Sequence, residues 1–233
     1  MNETQNEDAF KHLTAGLEHF TKKFFDEAIV EFKKAIKLDE NYASAHFNLG
    51  VAFSEKKQIQ SAIFEYKKTK EINPYYVNAY YNLALIYLEK NLLDEAALEL
   101  EKACELDPGF ASAHQNLGAV FEEKGEMERA LSEYQKAVEL EPGPPEIHQN
   151  LGNVFRKLGM FHQAVYEYEQ TIKINNKFAF SYYGLGICYE KMGEKEKALV
   201  SFKKYLELDL NSKWAKQART FIEKTIPGGS NDW

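Results

Sequence analysis

The sequence predicts an all-α solenoid, built from six antiparallel helical hairpins and closed by a C-terminal capping helix. Three observations lead there. The stretches "AHFNLG" at 45–50, "AYYNLA" at 79–84, "AHQNLG" at 113–118 and "IHQNLG" at 147–152 each start 34 residues after the last. Other residue types keep the same step along nearly the whole chain. Within each unit the apolar spacing is helical rather than alternating. A fixed period of this length marks a repeat architecture, in which each unit buries its remaining apolar surface only against its neighbours.

Stepping by 34 from Ala28 meets Ala62, Ala96, Ala130, Ala164 and Ala198. From Gly16 it meets Gly50, Ala84, Gly118, Gly152 and Gly186, all tiny. A ring or a leucine recurs at Phe32, Tyr66, Leu100, Tyr134, Tyr168 and Phe202, and an aliphatic residue at Leu38, Ile72, Leu106, Leu140, Ile174 and Leu208. The repeats are therefore 9–42, 43–76, 77–110, 111–144, 145–178 and 179–212, after a segment 1–8 expected to be flexible.

In the second repeat Leu49, Gly50 and Phe53 share a face of the first helix, A. Ile59, Ala62, Ile63 and Tyr66 share a face of the second, B. The tiny residue of A is expected to face the alanine of B. "SEKKQ", "LEKNL", "EEKGE", "RKLGM" and "EKMGE" make the turns between A and B, three of them with glycine. Pro74, Pro108 and Pro142 end B helices, because the residue before proline resists the α conformation.

After the last repeat, Ser212 is placed to cap a helix over 213–224. Trp214, Ala215, Ala218, Phe221 and Ile222 form its apolar face; Lys213, Lys216, Arg219 and Lys224 lie opposite. The tail 225–233 is rich in turn formers and expected to be flexible.

The tiny residue, the aromatic three places later (Phe53, Tyr87, Phe121, Phe155, Tyr189), the recurrent alanine and the three prolines resemble the tetratricopeptide repeat family. The first repeat departs most, with His19 at the aromatic position and Glu40 at the proline position, while repeats five and six carry Asn176 and Leu210 there. The resemblance implies a right-handed superhelix whose A helices line a concave groove for a protein or peptide partner.

Asn48, Asn82, Asn116 and Asn150 sit two places before the tiny residue, about 200° around the A helix from it. In the family that side faces the groove, so the asparagines form a ladder, broken by Thr14 and Gly184. The ladder is similar to that of the repeat arm of O-linked N-acetylglucosamine transferase, although the chain has no room for that enzyme's catalytic domain. Two roles are open: pairing with a bound peptide's backbone, or bonding to a neighbouring repeat.

Phe47, Tyr81, Gln115, Gln149 and Tyr183 come one place before the ladder position; Val51, Leu85, Ala119, Asn153 and Ile187 come three places after it. The resulting groove is apolar and aromatic at one end, rich in amides in its middle. Glu55, Glu89, Glu122 and Glu123 then give way to Arg156, Lys157 and Lys191, a sign change that would orient a bound segment. The basic pair with which some family members clamp a terminal carboxylate is missing from the matching positions.

Other functions are disfavoured. A net charge of −7 argues against a general nucleic-acid binder. No apolar run approaches the ~20 residues of a membrane span, and the polar, acidic start is unlike a signal peptide, so a cytoplasmic chain is expected. Cys104 and Cys188 suggest neither a disulfide framework nor a zinc site. His12, His46, His114 and His148 share one repeat position, where Tyr80 and Tyr182 also stand, and read as packing residues rather than metal ligands. No catalytic motif is present, and no cofactor or metal is expected. The chain reads as a non-catalytic protein-binding scaffold; the alternative is a structural protein that self-associates through the same groove.

Overall fold

The computed structural model describes residues 3–226, and every regular element among them is an α-helix. Two compact units divide the chain, 1–108 and 109–233. The first contains the hairpins α1/α2 (Glu3–Thr21, Phe25–Leu38), α3/α4 (Ala43–Glu55, Ile59–Ile72) and α5/α6 (Val77–Glu89, Leu93–Leu106). The second contains α7/α8 (Ala111–Lys124, Met127–Leu140), α9/α10 (Pro145–Lys157, Phe161–Ile174) and α11/α12 (Ala179–Lys191, Lys195–Leu208), followed by α13 (Lys213–Thr225). The all-α helical repeat is thus present. The segment expected to be flexible over 1–8 is helical from Glu3. Of the tail, Thr225 closes α13 and 227–233 lie outside the described residues.

All six hairpins turn on a left-handed residue. Lys23, Lys57, Asn91, Gly125, Gly159 and Gly193 have φ of 62, 59, 56, 79, 75 and 79°. Around Lys57, its own N–H donates to the Ser54 carbonyl and that of Gln58 to the Phe53 carbonyl, each at 2.9 Å. This pair of bonds satisfies the last carbonyls of the A helix, as in a Schellman motif. Glycine takes such a backbone freely, whereas side chains resist it. The first unit has none at these turns; the second has only glycine.

The B helices stop by another device. Asp39, Asn73, Asn175 and Asp209 follow the last helical residue, and each Oδ1 accepts the N–H two residues on, at 3.0 to 3.1 Å. Such Asx turns compete with helix continuation. They explain why repeats five and six end their B helices without proline.

The small residue of the A helix, where it is glycine, faces the ring of B, which corrects the expectation that it faces the alanine. A Cβ on Gly16 would stand 2.4 Å from the Phe32 ring, on Gly50 2.8 Å from Tyr66, on Gly152 2.9 Å from Tyr168 and on Gly186 2.6 Å from Phe202. Alanine and ring lie one turn apart on the same face, so periodicity alone does not say which of them is opposite. The alanines Ala28, Ala62, Ala96, Ala130, Ala164 and Ala198 are all 0% exposed and belong to the same dense core.

His46, His114 and His148 are buried and His12 is half-buried, as packing residues should be, but each also carries a polar bond across its hairpin. Nδ1 of His12, His46, His114 and His148 lies 2.6 Å from Oε2 of Glu31, Glu65, Glu133 and Glu167 respectively. The second nitrogens of His46 and His148 face the carbonyls of Glu40 at 3.2 Å and Pro142 at 3.1 Å. Hydrogen bonds from Lys34 and then His12 hold the Glu31 carboxyl below its ordinary range. In repeat three the Tyr80 hydroxyl instead donates to the Pro74 carbonyl at 3.0 Å. Glu99 there takes Lys70 at 2.6 Å, whose ammonium stands 4.3 Å over the Tyr80 ring. Repeat six has Tyr182 and Ser201, and so neither charge.

Lys57→Gly should raise stability by up to about 1 kcal/mol, because relief of left-handed strain exceeds the added freedom of the unfolded chain. Gly159→Lys should lower it by a similar amount; thermal melts of both variants read the sign.

Glu167→Ala leaves a buried imidazole without its acceptor and should lose about 1–3 kcal/mol in urea unfolding. His148→Tyr combined with Glu167→Ser, the pairing found in repeat six, should recover most of that loss.

Candidate functional site

In the second unit, α7, α9, α11 and α13 border one groove of about 620 Å³. Gln149, Asn153, Arg156 and Lys157 enter it from α9, and Phe180, Tyr183, Gly184 and Ile187 from α11. Glu122 comes from α7, Trp214 and Gln217 from α13. The helical period sets this arrangement, since residues three and four apart share a face. Ser212 positions the last wall by accepting the Ala215 N–H at 3.3 Å, capping α13 as its place in the sequence suggested.

The groove is aromatic on one side. Phe180 is 48% and Trp214 36% exposed, so both offer ring surface to a ligand. The Tyr183 ring lies 5.5 Å from Trp214 and 5.3 Å from Tyr205, and its hydroxyl donates to Gln217 Oε1 at 2.5 Å.

Its floor is polar and ordered from beneath. At the ladder position α11 has Gly184, where a Cβ would meet the Tyr168 ring at 2.4 Å. The missing side chain makes room for that ring beneath the groove. Tyr168 donates its hydroxyl proton to Asn153 Oδ1 at 2.8 Å and accepts from Arg156 Nε at 3.2 Å. Burial raises the Tyr168 phenol well above its usual range, against the opposing influence of Arg156, so it remains a neutral donor. Beside the Arg156 guanidinium, Lys157 reaches Glu122 Oε1 at 2.8 Å.

Gln149, Asn153 and Tyr183 of the predicted groove residues come together here. Asn150 is half-buried on α9 but does not line the groove; Gln115 and Asn116 are half-buried on α7. In the first unit Phe47, Asn48 and Val51 on α3 and Tyr81, Asn82 and Leu85 on α5 are likewise half-buried. Asn48 Nδ2 donates to the Ser44 carbonyl at 2.7 Å and Asn82 Nδ2 to the Tyr66 hydroxyl at 3.4 Å. Phe47 packs 4.9 Å from Tyr76 and 5.8 Å from Tyr66. Asn82 therefore reaches the preceding hairpin, as the bracing role requires.

Phe180, Trp214 and Gln217 were missed as groove residues. Ladder counting stops at repeat six, and the apolar and charged faces read for α13 do not say which of its residues border the groove. Nucleophilic chemistry finds little here: burial pushes the Cys188 thiol up to about 12, far from the thiolate that reacts.

The sequence matches the TPR repeat model over 16–57, 84–125, 122–159 and 152–193, and tetratricopeptide repeat models over 43–76 and 179–212. The chain belongs to the tetratricopeptide repeat family. The last two matches coincide with repeats two and six of this tetratricopeptide repeat chain. No curated protein matches the sequence significantly.

Among solved structures, the chain is similar to YrrB, a TPR protein with an unusual peptide-binding site. The identity is 25% over 81% of this chain and 97% of that one, with a TM-score of 0.77. PilF of Pseudomonas aeruginosa shares the fold at 19% identity, covering 94% and 99% with a TM-score of 0.76. MamA is 29% identical over 71% and 91%, with a TM-score of 0.67. Among the described residues no helix of this tetratricopeptide repeat chain is long and apolar enough to cross a membrane.

Gly184→Asn would extend the ladder into repeat six but drive a side chain into the Tyr168 ring, and should destabilise by about 1–3 kcal/mol. Adding Tyr168→Leu to it should relieve much of that loss, as urea denaturation of single and double variants would show.

Proposed function

We propose that this tetratricopeptide repeat chain is a non-catalytic scaffold that binds a partner protein by holding an extended segment in the groove of its second unit. The observation that carries this reading is the meeting of Gln149, Asn153 and Gln217 with Phe180, Tyr183 and Trp214 around one groove. Side-chain amides both donate and accept, so they can pair with the backbone of any extended peptide. The rings offer a surface for its side chains, and buried aromatic anchors often dominate such interfaces. The peptide-binding site ascribed to YrrB, at 25% identity, supports the same use of the fold. In the first unit we assign Asn82 a bracing role, since its amide donates to the preceding hairpin, whereas Asn48 donates back within its own helix to Ser44. Phe47, Val51, Tyr81 and Leu85 there are proposed to add apolar contact.

A peptide array probed with the labelled chain should yield binders. With Gln149→Ala, Asn153→Ala and Gln217→Ala combined, their signal should fall at least about tenfold, since each lost bond contributes ~0.5–1.5 kcal/mol. Circular dichroism should show the helices intact. Full binding by the folded triple variant would overturn the reading. Concentration-dependent sedimentation of the wild type, abolished by the same changes, would instead assign the groove to a second copy of the chain.

A further inference from the structure

We propose that the segment received by this groove is acidic, and that Arg156 takes one of its carboxylates. The inference rests on the groove reading above and names the partner's chemistry. Arg156 lies in the last turn of α9, half-buried, and makes only the bond from Nε to the Tyr168 hydroxyl among the described residues. No carboxylate among those residues pairs with it, whereas its neighbour Lys157 is paired with Glu122 at 2.8 Å. A partly buried charge without a counter-ion is unfavourable, and a guanidinium keeps a planar fork of donors that fits a carboxylate. Its aim is fixed from below. Tyr168 is buried beneath Gly184 and anchored to Asn153, so Nε is held while the terminal nitrogens stay free.

The surrounding charge agrees. A recess lined by Glu190, Lys213, Lys216 and Lys224 shares Gln217 with the groove. Groove and recess together hold Arg156, Lys157, Lys213, Lys216 and Lys224 against Glu122 and Glu190, in a chain whose net charge is −7. The positive patch is local. Its cations fall in two groups, one in the groove and one along α13, which suits several side-chain carboxylates better than a single chain terminus. The exposed Phe180 ring, and the part of Trp214 left open by the Lys213 ammonium 4.4 Å over its ring, call for apolar residues between the acids.

The test uses the full chain and a peptide with both ends blocked, one by the fluorescein label and the other as an amide, fluoresceinyl-Leu-Glu-Asp-Phe-Glu-Asp-Leu-amide. Its twin carries glutamine and asparagine for the acids. Fluorescence anisotropy should show the acidic peptide bound at least about tenfold more tightly, by an amount that shrinks in high salt. Arg156→Gln should remove most of this preference and Arg156→Lys should keep part of it, with helicity unchanged in both. Equal binding of the two peptides would overturn the acidic inference while leaving the groove reading intact. Binding of neither, with array binders that lack acids, would do the same. An equal loss of both peptides in Arg156→Gln would give Arg156 a purely structural role and overturn its part. Tighter binding of a labelled oligothymidylate than of the acidic peptide would assign the patch to nucleic acid and overturn the proposal.

Discussion

One steric constraint recurs through both units: a B-helix side chain is seated against an A-helix position with almost no side chain of its own. Gly16, Gly50, Gly118, Gly152 and Gly186 accept Phe32, Tyr66, Tyr134, Tyr168 and Phe202. Repeat three obeys the same rule with different parts. There the A residue is Ala84, one methyl larger, and the B residue is Leu100 rather than a ring, both 0% exposed. Close packing leaves no slack for a methyl and a ring together. The hairpin geometry, and with it the face each A helix presents, follows from this fit. In the second unit the constraint extends to the site, since Gly184 lets the Tyr168 ring rise far enough for its hydroxyl to hold Asn153 and Arg156.

The fold was legible because a 34-residue step repeats every local choice, and a coincidence of residue type at six places resolves ambiguities that one helix leaves. Pairing across the hairpin was less legible. Glu31, Glu65, Glu99, Glu133 and Glu167 hold one register and give way to Ser201. Read beside His12, His46, His114 and His148, that register announces the polar bonds that a packing assignment overlooked. Counting one register at a time hides a pair. The assignment of the small residue to the alanine failed for a related reason, because two B residues one turn apart satisfy the same periodicity.

The groove was half visible. Gln149, Asn153 and Tyr183 follow from the ladder's neighbours, but Asn150 itself does not line the groove, and the asparagines of the first unit are turned to internal partners. Trp214 and Gln217 lie beyond the last repeat, where no period guides the eye. The hydroxyl of Tyr168 organises the floor from a ring counted only as core. A buried tyrosine needs a partner for its oxygen, and Tyr134, which donates to Glu122 Oε2 at 3.1 Å, repeats that geometry one hairpin earlier.

The histidine–glutamate bonds join residues 19 apart, inside a single hairpin. As the chain leaves the ribosome from its N-terminus, each such hairpin can close its own polar pair soon after its B helix emerges, with no later sequence required. Lys70 and Glu99 are 29 apart and belong to successive hairpins. Repeat two therefore finishes its histidine pair early, yet leaves a lysine waiting for the next helix pair to be made. During synthesis that joint fastens the third hairpin onto a core that the first two, through Ile29, Phe32 and Leu49, have already begun to share.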